Sequence, residues 1–123
     1  MSVTEARTAA RTMRSTIIGR LTRAGEPAYG HRVVCWHHLG IGIPDEGEGC
    51  VADAPKVLKV GEAKANDNGD FAVTFDALAE PASECFLDSL VRIEVFDGDT
   101  RVWASGFAAF APLVRFDAEL RAS

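Results

Sequence analysis

Residues 90–105, LVRIEVFDGDTRVWAS, constrain the fold more than any other stretch, because apolar and polar side chains alternate through 90–96 and again after an Asp97-Gly98-Asp99 break. Side chains of an extended chain point alternately to opposite faces, so this pattern hides Val91, Ile93 and Val95 and leaves Arg92 and Glu94 in water. Asp beside Gly between two such runs marks a tight reversal. The same pattern recurs at 15–22, 31–38, 57–65, 70–75 and 113–120, each run bounded by Gly, Pro, Asn or Asp, and long helical periodicity is scarce. Seven runs in 123 residues of 47% hydrophobic content predict one all-β domain, a seven-stranded antiparallel β-sandwich.

The remaining segments follow from turn chemistry. Residues 1–14, with Arg7, Arg11 and Arg14 interleaved with Ala and Thr, read as a tail or short helix ahead of a domain spanning 15–123. Gly25, Pro27 and Gly30 break the chain after the first run. Residues 39–56 are rich in Gly and acid and read as a long exposed loop. Asn68-Gly69 predicts a hairpin joining 57–65 to 70–75, and 76–87 reads as a loop with a helical turn near Pro81. Parity assigns Val33, Cys35, Phe71, Val73, Phe75, Val114, Phe116, Ala118 and Leu120 to the core as well.

A net charge of −5 and a pI near 5.1 argue against nucleic acid as a partner, since that affinity needs clustered Lys and Arg. No apolar run reaches the ~20 residues of a membrane-spanning helix. The start has no apolar stretch of the secretory kind, so a cytoplasmic location is expected. Cys35, Cys50 and Cys85 cannot all pair with one another and show no C-x-x-C spacing; a bridge between Cys50 and Cys85 stays open. Gly-x-Ser-x-Gly, phosphate-loop and dinucleotide fingerprints are absent, so no cofactor is expected.

The strings IIGRLTRAGEPAYGHRVVCW, VGEAKANDNGDFAVTF, LVRIEVFDGDTRVWASG and VRFDAEL resemble the transthyretin-like, carboxypeptidase-regulatory-like (prealbumin-like) β-sandwich superfamily. The resemblance covers roughly 16–120 and rests on Gly19 within the first strand, on Gly25, Pro27 and Gly30 as a G-x-P-x-x-G turn, and on Asp67, Gly69 and Phe71. It implies a transthyretin/Ig-like sandwich serving as a spacer, an accessory module of bacterial assemblies or a protein-binding module. Hydroxyisourate hydrolases in the same superfamily share the GEPAYG stretch, but this chain has no His in its first strand, none after His38, and no C-terminal Tyr-Arg-Gly-Ser. Intradiol dioxygenases need more Tyr iron ligands than Tyr29 alone supplies.

Among reactive side chains, Arg20, His31, His37 and Arg92 would have to converge in a cleft to make a small hydrolase. His31, Cys35 and His37 form a conceivable zinc set and Asp45, Glu46, Glu48 and Asp53 a conceivable calcium set, although burial and solvation explain both more simply. Parity leaves Val34, Trp36 and Phe96 facing outward, with Trp103, Phe107 and Phe110 of uncertain register. An aromatic patch of this kind marks protein contacts unless the first residues or the 39–56 loop cover it. The sequence therefore predicts a non-enzymatic protein-binding or assembly module, with neither metal nor cofactor, that docks a protein partner or a second copy through Trp36, Phe96 and Trp103.

Overall fold

The computed structural model describes residues 11–45, 49–52, 56–80 and 86–121. These residues form strands and turns only, with no helix long and apolar enough to cross a membrane. In chain order the strands are β1 (Arg11–Arg23), β2 (Glu26–Pro27), β3 (Arg32–Asp45), β4 (Gly49–Ala52), β5 (Lys56–Lys64), β6 (Asp70–Glu80), β7 (Phe86–Asp97), β8 (Thr100–Ala104), β9 (Ala108–Ala109), β10 (Leu113–Arg115) and β11 (Ala118–Leu120).

They build two sheets. In the five-stranded sheet β1 is central: β6 runs antiparallel along it, β10 and β11 run parallel to it, and β2 turns back on its end. In the six-stranded sheet β3 pairs β7 along one edge and β5 and β4 along the other, while β8 and β9 pair β7. The inner faces of both sheets meet in one apolar core made of Ile17 and Leu21 with Phe71, Val73 and Phe75 from one layer, and of Val33, Cys35, Val91, Ile93 and Val95 from the other. Val114, Ala118 and Leu120 complete it, as parity requires; Phe116 only packs against its margin.

Several expectations need correction. The described residues form eleven strand segments where seven were expected, and the pairing is not antiparallel throughout, because β10 and β11 run alongside β1 in its own direction. Residues 39–45 and 49–52 are strand: β3 continues past Leu39 because its backbone is paired to β7 as far as Ile41 and to β4 from Gly42 to Asp45, whatever the composition. Residues 76–80 continue β6 against β1, and 86–87 begin β7, so strand replaces the expected loop at both of its ends; 81–85, with Pro81 and Cys85, lie outside the described residues. Arg11 to Arg14 belong to β1, which leaves only 1–10 for the expected tail or helix, and these too lie outside.

The Asn66–Gly69 turn exists but does not close a hairpin. Asn66 Oδ1 accepts from the amides of Asn68 and Asp70, and Gly69 takes a φ of 77°. Ala65, however, is bonded to Gly30 and His31 beside β3, whereas Gly69 O accepts from Leu21 N of β1. The turn therefore arches from one sheet to the other. The Gly98-Asp99 reversal is a true two-residue hairpin, with Asp97 opposite Thr100.

Candidate functional site

The outer face of the five-stranded sheet is a set of exposed ion pairs, Arg14–Asp76, Arg20–Asp70 and Arg115–Asp117. Such exposed pairs are screened by water and serve mainly to solvate the face. The outer face of the six-stranded sheet is different. Register puts Arg32, Val34, Trp36 and His38 of β3 beside Phe96, Glu94, Arg92 and Leu90 of β7. Here two guanidiniums lie over aromatic rings, Arg32 with its Cζ 4.7 Å from the centroid of Phe96 and Arg92 with its Cζ 5.5 Å from that of Trp36. Each contact of this kind contributes about 0.5–2 kcal/mol, more as water is removed. Trp36 and Phe96 are consequently half-buried, and Val34 is only 3% exposed. Arginine side chains cover these rings; residues 1–10 and parts of the 39–56 segment, the covers expected from the sequence, lie outside the described residues.

Glu94, expected in water, is buried. Its carboxylate lies 3.0 Å from Arg101 Nη1 and 3.4 Å from Arg92 Nη1. Burial alone pushes this carboxyl up, yet the hydrogen bond from Arg101, the charge of Arg92 and the nearby Trp36 indole outweigh it and hold the group below the usual carboxylate range. Among the described residues the buried Trp36 Nε1–H makes no full hydrogen bond, although its proximity to the Glu94 carboxylate contributes to that lowering. Arg92 Nε donates to His38 Nε2 at 2.9 Å, and the exposed Phe107 ring stands edge-on to His38 at 4.8 Å. Burial, then the Arg92 charge, pushes the His38 imidazole below its ordinary value. Val57, also exposed, lies opposite His38 on β5 and extends the strip to the sheet edge.

Of the expected docking residues, Trp36 and Phe96 share this face and Trp103 does not. The β7–β8 ladder shifts register between Val95 and Phe96, so Trp103 falls opposite the buried Val95 and packs against the core. The same shift brings Arg101 opposite Phe96 and within reach of Glu94, and alternation within either strand alone contains no sign of it. His38 and Arg101 are thus site members that the sequence reading missed.

The four residues required for a hydrolase pocket do not converge. Arg20 lies on the outer face of the five-stranded sheet with Asp70, and Arg92 on that of the other sheet. His31 sits at the start of β3 near Arg23, and His37 points into the core. His37 Nε2 pairs with Ser89 Oγ, its ring stacks on Phe110 at 4.8 Å, its Nδ1 has no partner, and burial lowers its pKa, with His38 adding to the shift. The zinc set fails on spacing, since the four residue steps from His31 to Cys35 span about 13 Å. Cys35 is a buried free thiol whose pKa burial pushes up to about 12, far from a reactive thiolate. Glu46, Glu48 and Asp53 of the calcium set lie outside the described residues.

No family model matches the chain, and no curated protein matches it. Among solved structures, a 9R-lipoxygenase from Cyanothece PCC8801 aligns over 89% of this chain but only 16% of its own length, at 13% identity and a TM-score of 0.37. The chain thus spans a small part of that enzyme, and a likeness this slight assigns neither family nor activity.

Proposed function

We propose that this chain is a non-enzymatic protein-binding or assembly module on a transthyretin-like β-sandwich, working in a reducing, cytoplasmic setting, and that it engages a protein partner or a second copy of itself with the outer face of the six-stranded sheet. The observation that carries the reading is the grouping of Trp36 and Phe96, covered by Arg92 and Arg32, on one outer sheet face that continues into the exposed Phe107 and Val57. Trp and Arg are also the side chains that most often dominate binding energy at interfaces. Trp36, Phe96 and Arg92 form the docking set; Trp103 drops out of it.

Light scattering of the purified chain, alone and after affinity capture from its host, tests the reading. Wild type should form a defined dimer or a stoichiometric complex, and Trp36→Ala and Phe96→Ala should each weaken it about tenfold or more while the fold is retained. A monomer that captures no stoichiometric partner, or an assembly indifferent to both substitutions, refutes it.

A further inference from the structure

A second site lies where the end of β1, the β2 return and the start of β3 meet. Arg23, Glu26, Pro27, Ala28, Tyr29 and His31 line an open cleft of about 470 Å³ there, within the size range of small-molecule sites. Its walls are mainly apolar: the Tyr29 ring is 68% exposed, Pro27 fixes one side, and Ala28 is pinned by its amide donating to Leu21 O.

The polar groups are few, and one of them is a cation held only by neutral acceptors. Arg23 Nε donates to the Arg121 carbonyl at 3.0 Å, and Nη2 stands 3.4 Å from His31 Nε2. The buried His31 is oriented by its Nδ1, which lies 3.2 Å from the Tyr29 carbonyl; since a carbonyl only accepts, Nδ1 carries the proton and Nε2 presents its lone pair to Arg23. The guanidinium is thereby oriented without being neutralised, and among the described residues its Nη1 group has no protein partner and no carboxylate pairs with it. The reversal that sets Glu26 opposite Arg23 is closed by Ala24 at a φ of 53°, a left-handed conformation that costs a non-glycine residue about 1–2 kcal/mol.

From this arrangement we infer that the cleft binds a small organic monocarboxylate with a flat apolar body, its carboxylate on Arg23 and its body against Tyr29 and Pro27. Glu26 on the rim sets the charge limit, because a second negative charge would be repelled there, so inorganic phosphate and dicarboxylates are disfavoured.

The test is an amide-resolved NMR titration of the full chain with benzoate, alongside acetate, inorganic phosphate and benzyl alcohol at matched ionic strength. Benzoate should give saturable shifts clustered at 24–31, with acetate and phosphate at least about tenfold weaker and benzyl alcohol without saturation. Arg23→Gln should weaken benzoate about tenfold or more, the usual effect of losing a charge-assisted pair. Tyr29→Ala, a change at an exposed ring that leaves the fold intact, should weaken it severalfold and serves if Arg23→Gln does not fold. Absence of saturable benzoate binding, benzyl alcohol or phosphate binding as tightly, or affinity undiminished in Arg23→Gln or Tyr29→Ala overturns the inference.

Discussion

Gly19→Ala should be among the most damaging single substitutions in this chain, although it adds one methyl group to a strand. Gly19 sits in the middle of β1, where the segment between β10 and β11 crosses it. A Cβ built there would lie 1.6 Å from Phe116 O and 2.7 Å from the Phe71 ring. Ordinary carbon contacts need about 3.5–4 Å, so the crossing backbone would have to retreat by roughly 2 Å. Two bonds tie that crossing to β1, Phe116 N to Ile18 O at 2.9 Å and Arg20 N to Asp117 Oδ1 at 3.0 Å, and neither survives such a shift. A neutral bond contributes about 1 kcal/mol net and one to a charged group about 1.5–3 kcal/mol. Loosened packing at Val114, Ala118 and Leu120 adds to this, for an expected loss of about 3–5 kcal/mol, a large share of a total stability near 5–15 kcal/mol. Urea unfolding followed by tryptophan fluorescence measures it. Gly106→Ala is the control, since a Cβ there meets nothing and its φ is ordinary, so its effect should be within about 1 kcal/mol of zero. A Gly19→Ala loss below about 1 kcal/mol, or one equal to that of Gly106→Ala, would refute the reasoning.

Two further outcomes are expected. Ala24 and Gly25, with φ of 53° and 79°, form the kind of two-residue reversal that Asn-Gly suits best, so Ala24→Asn should raise unfolding free energy by about 0.5–1 kcal/mol, read as a higher denaturation midpoint. His37 and His38 have folded pKa values below their ordinary 6.5, so their contribution is complete above pH 6.5 and is lost as pH falls through the lower folded values. Glu94, also lowered from 4.5, adds a second decline below that pH. Stability measured from pH 7.5 to 4 should therefore fall with acidification, and His38→Gln should flatten the part of the decline that begins as pH drops below 6.5; a slope unchanged in that variant contradicts the assignment.

Alternation was enough to find the core. Val33, Cys35, Val73, Ile93 and Val95 are buried as their parity requires, because one buried face per strand leaves little freedom of register. Strand ends were less legible. Gly40 and Gly42 carry no side chain to betray a face, and the pairing of 39–45 is decided by β7 and β4, whose proximity no local window contains. Asn-Gly correctly marked a turn at 68–69, but whether the flanking strands pair with one another depends on what Ala65 and Gly69 are bonded to across the molecule. The candidate face was half visible for the same reason. Trp36 and Phe96 follow from parity in their own strands, whereas Arg101, Trp103 and the burial of Glu94 depend on a one-residue slip between neighbours.

The clamp of β1 between β6 and the β10–β11 pair sets the order in which the chain can be completed. Leu21 meets Ala118 and Thr16 meets Leu113, contacts nearly a whole chain length apart in sequence. β1 must therefore keep one apolar-flanked edge unsatisfied until β10 and β11, 97 positions further along (113 − 16 and 118 − 21), have been made, at the roughly 5–20 residues per second of translation. Closure of so long a loop makes maturation slow, in the range of milliseconds to seconds, and leaves a window in which that edge can recruit a neighbouring chain instead of its own C-terminal strands.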